Sequence, residues 1–354
     1  MYSETDLTAA VASGAISADA AQALRDHAAA ARSGPAVDEE HFRLLTGFND
    51  IFVSIAAVIL LVAVAWIGQS IYAALAGLFV AGSAWGLAEF FTRQRRMALP
   101  SILLLLAFVG GVGASLVGLM VENGEAWFGT DPDKRLTAFI LAGIALTTAG
   151  AAWLHWRRFM VPITVAAGTA ALVGTLVALI VAGVGPDNFT PKAILSLVLV
   201  GGLGVFALAM NWDRSDRTRV TRRSDVAFWL HLLAAPMIAH PLFSLLGVND
   251  NGTIGIGGAI GVVALYLGFG LIALAVDRRA LLVSALAYVL FAMTQLFQQF
   301  GAVELNVALT ALVIGSALLL LSAFWHTTRG WVVGVLPQGV KDLVPAAGAV
   351  AQSA

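Results

Sequence analysis

The sequence predicts an all-α, polytopic transmembrane helical bundle of about ten spans, with a small N-terminal helical pair and both termini cytoplasmic. Three observations carry this. Hydrophobic residues make up 59% of the 354 and charged residues only 12%, against roughly 25% charge in soluble domains. The apolar residues fall in long continuous runs, and in lipid only a helix or a closed barrel satisfies every backbone group, so runs near the ~20 residues that cross a hydrocarbon core read as helices. The loops between runs alternate between rich and poor in Arg, as expected when basic loops stay cytoplasmic.

Spans are expected at 51–68, 71–91, 101–121, 136–156, 161–183, 193–212, 226–247, 254–276, 280–299 and 307–326. With the N-terminus inside, 17 basic residues fall on the cytoplasmic side, and only Lys134, Arg135 and Lys192 fall on the other. Tryptophan prefers the headgroup level. Trp66 and Trp127 fall at outer ends, Trp153, Trp156, Trp212, Trp229, Trp325 and Trp331 at inner ends, and Trp85 alone lies clearly inside a span.

The cytoplasmic turns carry a weak repeat. Arg95-Arg96-x3-Pro100 recurs as Arg157-Arg158-x3-Pro162, and Arg222-Arg223 and Arg278-Arg279 take the same place without the proline. This predicts four helical hairpins (spans 2 and 3, 4 and 5, 6 and 7, 8 and 9) flanked by spans 1 and 10; the competing reading is ordinary positive-inside turns. Small residues at four-residue spacing, Gly110, Ala114 and Gly118 in span 3 and Gly257 and Gly261 in span 8, predict close helix seams or, alternatively, a pore lining.

Three regions follow: 1–47, a cytoplasmic helical pair and linker; 48–327, the bundle; and 328–354, a cytoplasmic interfacial or disordered tail. Within 5–31, Gly14 can stop one helix and Ser17 can cap the next. Residues 34–49 lead into span 1, with His41, Phe42, Leu44 and Leu45 expected at the interface. The first apolar run begins near Ile51, so span 1 is expected to act as an uncleaved anchor. The Leu7 to Leu24 pattern with its Gly-x-Ile-Ser centre, followed by many spans, resembles the bacterial membrane proteins of the domain of unknown function 2157 family. The segments from Phe228 through Pro236 and from Asp277 through Ser284 also look like stretches of such proteins. That resemblance implies a bacterial membrane protein and no particular activity.

Several function classes have no support. The net charge is −1 and cysteine is absent, so nucleic acid is not an expected partner, and disulfides, thiol nucleophiles and Cys-ligated metals are excluded. No Walker loop, dinucleotide fingerprint, His-Glu-x-x-His or nucleophile elbow occurs. No cofactor, metal or catalytic residue is expected. The use of 17 Arg to 3 Lys amid abundant Ala and Gly suggests a bacterial chain, placed in the cytoplasmic (inner) membrane. Expected partners are the bilayer, anionic headgroups at the Arg loops (Arg214 to Arg223 above all), and a cytoplasmic protein or a second copy.

Ionisable side chains in the bilayer are candidate functional sites. Span 7 holds His231 and His240 together with Pro236 and Pro241, whose missing N–H groups would free the carbonyls of Leu232 and Met237. A break there would resemble in kind the broken helices of transporters. Nine residues of ideal helix turn through about 900°, which puts the two histidines on opposite faces. Gln295, Gln298 and Gln299 of span 9 share a face at the expected depth of His240. His231, Pro236, His240, Pro241, Gln295 and Gln299 therefore form the candidate intramembrane site; in the competing reading the prolines kink the span and the polar groups only pack helices. Glu89 is expected to pair with Arg93, and the outer acids Glu122, Glu125, Asp131 and Asp133 to be solvated rather than to hold an ion. The favoured function is a small-solute or ion transporter. The alternative is a membrane scaffold or sensor whose N-terminal pair binds a partner.

Overall fold

The computed structural model describes residues 4–24, 48–216, 219, 221–247, 255–299 and 305–345. The expected interfacial stretch at His41, Phe42, Leu44 and Leu45, and residues 346–354, lie outside them. The chain divides into two units, Met1–Arg43 with Val350–Ala354, and Leu44–Ala349. In the first, α1 (Glu4–Ala12) stops where Gly14 turns left-handed at φ 74°. Ser17 Oγ then accepts the Ala20 N–H at 3.1 Å and opens α2 (residues 18–24). This is the expected helical pair.

The second unit contains ten apolar helices long enough to cross a bilayer, so the chain is an all-α polytopic membrane protein. They are α3 (Phe48–Ile71), α4 (Ala73–Ala88, prolonged by a π turn over Glu89–Gln94), α5 (Ala98–Phe128), α6 (Lys134–Phe159), α7 (Ile163–Val184), α8 (Pro191–Ser215), α9 (Arg222–Leu245), α10 (Ile256–Val276), α11 (Ala280–Gln299) and α12 (Asn306–Ala323). Two more follow, α13 (Trp325–Val335) and the short α14 (Gln338–Lys341), so the boundary expected at 327 falls inside a helix. At the arginine-poor end α5 runs seven residues beyond its expected limit. Its last turns are useful there: Glu122 Oε1 accepts the Ala73 N–H that opens α4, and the Asn123 amide donates to the Tyr72 hydroxyl.

The most extensive packing joins α4 to α5, α6 to α7 and α8 to α9, and α10 also packs along α11, so the four hairpins that the loop arginines anticipate are present; α3 adds to the first of them by packing on α4. The turns at the arginine-rich end share one backbone device. Each holds a single non-glycine residue in the left-handed region, Arg96, Met160, Arg219 and Asp277, with φ between 54° and 60°. Among the described residues no other non-glycine residue has positive φ, a conformation that costs an L residue about 1–2 kcal/mol. The residue that follows is buried in the three turns where it is among the described residues. It is apolar in two, Met97 and Val161, but it is Arg278 in the last.

Close approach within the first hairpin depends on a glycine seam. A Cβ on Gly111 would lie 2.7 Å from the Gly77 carbonyl oxygen, and one on Gly118 would lie 2.8 Å from Ala74 Cα. Gly110, Gly257 and Gly261 have open space at the same point, and Ala114 is exposed. Of the seam residues read from the sequence, only Gly118 takes part. A four-residue spacing fits two adjacent registers equally well, and the buried one runs through Gly111 and Ser115.

Helix α9 is the hub of the later half. Over half of its apolar window is buried, 56%, against 17–39% in the other spans. Ala234, Ala235 and Ala239 are fully buried and let α8 and α11 pack closely around it. Pro236 and Pro241 sit inside this one continuous helix, so the expected break is absent. A proline removes one hydrogen bond and kinks a helix without necessarily unwinding it.

If the seam sets the first hairpin, Gly77→Ala and Gly111→Ala should each lower the thermal midpoint in detergent, by an amount equivalent to about 1–3 kcal/mol, while Gly110→Ala leaves it unchanged. Equal effects at positions 110 and 111 would contradict the seam.

Candidate functional site

The expected site residues do not converge. His240 Nδ1 meets the Tyr288 hydroxyl of α11, and the residue is otherwise exposed. Among the described residues no hydrogen bond links His240 to Gln295, which is half-buried. Gln299 is the last described residue of α11. Pro236 is exposed and Pro241 is buried. His231 lies apart from all of these, near the arginine-rich end and only 3% exposed.

What surrounds His231 is a buried charge cluster. Asp213, in the last turn of α8, is 2% exposed. Its Oδ2 lies 2.8 Å from His231 Nε2, and its Oδ1 accepts from Arg278 Nη2 at 2.7 Å. An ionised carboxylate only accepts, so the imidazole Nε2 carries the proton in this bond. The same Arg278 nitrogen donates to the Ser224 carbonyl at 3.3 Å, and the guanidinium lies over the Phe228 ring, 5.9 Å from its centre. Phe206 meets the His231 ring edge-on. Three segments, α8, α9 and the α10–α11 turn, are thus tied at one carboxylate.

A second aspartate adjoins the first through the chain. Asp277 precedes Arg278 and is itself the left-handed turn residue. Its Oδ2 accepts from Arg219 Nη1 at 2.8 Å, and its Oδ1 accepts the Trp325 indole N–H at 2.7 Å. Arg329 Nε lies 3.5 Å from the same Oδ1, and Arg329 Nη2 donates to the Pro345 carbonyl at 2.7 Å. Asp277 therefore docks α13 and the chain that follows it. Burial opposes ionisation of Asp277, but Arg219, the Trp325 N–H and Arg329 outweigh it and hold the carboxyl below the usual carboxylate range. Burial lowers the Arg219 guanidinium from its ordinary value.

Arg219, Arg278 and Arg329 were read from the sequence as loop cations facing lipid headgroups. They are instead buried or nearly so, each beside an aspartate. Asp213 sits beside the basic Arg214 in sequence and resembles a solvated helix end, and nothing local shows that it points inward. The pairing of Asp277 with Trp325 spans 48 residues and leaves no local pattern.

The first two hairpins are joined differently. Glu89 accepts from Arg93 at 3.4 Å, as expected, but its main partner is Arg158 of the next turn, through two bonds of 2.7 and 2.9 Å. Trp85, read from the sequence as lying well inside a span, packs with Phe108 and Phe159 around the fully buried His155. Thr164 Oγ1 lies 3.4 Å from His155 Nδ1, and Nε2 meets no hydrogen-bonding group among the described residues. At the other end of the bundle Asp133 caps α6 by accepting the Arg135 N–H at 2.7 Å. Among the described residues no three His, Asp or Glu side chains gather as a metal site.

No protein-family model matches the chain, and no curated protein or solved structure resembles it.

Removing one partner of a buried pair costs about 3–5 kcal/mol. Asp213→Ala should therefore lower the thermal midpoint sharply, and adding Arg278→Met should recover part of the loss because the stranded cation is gone. Additive losses would show that the two side chains act independently. For Asp277 the sign is that of a depressed carboxyl: its contribution is complete above the unfolded value of 3.8 and is lost as pH falls through the lower folded value. Tryptophan fluorescence should report release of Trp325 below about pH 4, and Asp277→Asn should remove that acid step.

Proposed function

We propose that the chain is a transporter of a small solute or ion in the bacterial cytoplasmic membrane, with both termini inside and the Asp213 cluster as its inner gate. The observation that carries this is one buried carboxylate shared by His231 of α9 and Arg278 of the α10–α11 turn. A buried ion pair is a poor way to gain stability, since well-packed apolar residues of the same volume often do as well or better. In hairpins one and two the turns bury apolar residues, Met97 and Val161, at the position where Arg278 stands in the fourth.

Charge in this place suits a switch better than a strut. A proton added at Asp213 removes the anion that holds Arg278, and one added at His231 sets two cations against one carboxylate, with Arg219, Arg329 and Asp277 close by. Either change weakens the tie between the α8–α9 and α10–α11 hairpins. The transport path in this reading follows α9 from His231 toward His240 and Gln295, as a cleft between hairpins rather than a broken helix. The exposed Arg214, Arg222 and Arg223 remain for anionic headgroups. The separate N-terminal unit favours the second reading, a scaffold or sensor that binds a cytoplasmic partner.

Because the chain has no cysteine, single cysteines can replace Ala235, Ala239 and Gln295 in vesicles and be challenged with a charged maleimide. Transport through an inner gate held by Asp213 predicts slow labelling in the wild-type background and faster labelling once Asp213→Asn is added. Protection at all three positions under every condition would favour the scaffold.

A further inference from the structure

Asp213 faces into the bundle, and its neighbour Arg214 faces out of it. One helical residue turns about 100°, so the same turn of α8 presents an anion to the cluster and a cation to a second feature. That feature is a groove of about 1010 Å³ between α8, α10 and the α13–α14 segment, at the upper limit of the ~300–1,000 Å³ typical of small-molecule sites. Its walls are almost wholly apolar, including Phe206, Met210, Leu271, Val332 and Leu336, and its only polar lining residues are Asn211 and Arg214, one turn apart on α8.

We propose that this groove binds an anionic phospholipid, with an acyl chain along the apolar walls and the phosphate on Arg214 and the Asn211 amide. Charge complementarity chooses the occupant. Among the described residues Arg214 has no carboxylate within ion-pair distance, unlike Arg219, Arg278 and Arg329 in the adjoining cluster. A guanidinium offers a planar fork of donors that matches a phosphate. A peptide helix in the same groove would have to satisfy its own polar side chains, and the walls offer nothing to do so. Trp331, 73% exposed, lies on the groove wall in α13 and has the amphipathic ring that settles at headgroup level. The docking of α13 by Trp325 and Arg329 forms that wall, so the lipid site and the charge cluster share a helix.

The test uses the full chain in vesicles of zwitterionic phosphatidylcholine containing a small fraction of phosphatidylglycerol with brominated acyl chains. Bromine quenches tryptophan on contact, and the difference between the wild type and Trp331→Phe isolates the signal of Trp331. Quenching should be at least several-fold greater with brominated phosphatidylglycerol than with the same fraction of brominated phosphatidylcholine. Arg214→Ala should abolish that preference while leaving the thermal midpoint unchanged, since the side chain is exposed. Ala207→Phe, which fills the groove, should remove the quenching from both lipids. Equal quenching by the two lipids in the wild type, or a preference that survives Arg214→Ala, overturns the proposal. So does a dimer in the wild type that Ala207→Phe dissociates, because the groove would then hold a second copy of the chain.

Discussion

A carboxylate withdrawn from water must be compensated where it lies, and Asp213 is compensated from two directions. Arg278 supplies the opposite charge and His231 supplies a hydrogen bond. Neither partner belongs to the helix that carries the aspartate, so satisfying this one side chain brings three segments into register. The next residue back from Arg278 repeats the arrangement, with Asp277 collecting Arg219, Trp325 and Arg329. The later hairpins and the helices beyond the last span are therefore organised by two aspartates. The earlier hairpins rely instead on a glycine seam, an aromatic box around His155 and an ion pair at the rim.

The hairpin itself is a backbone unit. Among the described residues, each hairpin turn at the arginine-rich end holds one left-handed residue that is not glycine, although glycine would adopt that conformation without penalty. The side chains at and after this residue differ from turn to turn, so one geometry serves an apolar plug in two places and a buried guanidinium in another. The repeat visible as paired arginines is the outer trace of this common turn.

Much of the architecture was legible because hydropathy and loop charge are summed over many residues and tolerate local exceptions. Ser17 and Gly14 were legible because capping is decided within a few residues. The site was not. Counting Arg219, Arg278 and Arg329 as loop cations marked where spans end, but the count carries no information about which way a guanidinium points. Pro236 and Pro241 promised a break, yet α9 is the most enclosed of the spans and continues as one helix through both prolines. His231 was identified as a polar residue needing a partner. The span 9 glutamines were read at the depth of His240, whereas the partner of His231 lies at the end of span 6, in a residue whose sequence neighbours suggested solvent.

The connectivity of the cluster has a consequence for biogenesis. Asp213 and His231 enter the membrane with the third hairpin, whereas Arg278 is 65 residues downstream of Asp213 and Trp325 and Arg329 come later still. During synthesis the third hairpin, with Asp213 near its end, is therefore made before the guanidinium that balances this carboxylate. Only when the fourth turn emerges can that end settle, and only when α13 follows can the turn itself be sealed. The native contacts of the fourth turn thus depend on α13, a segment made after the last span.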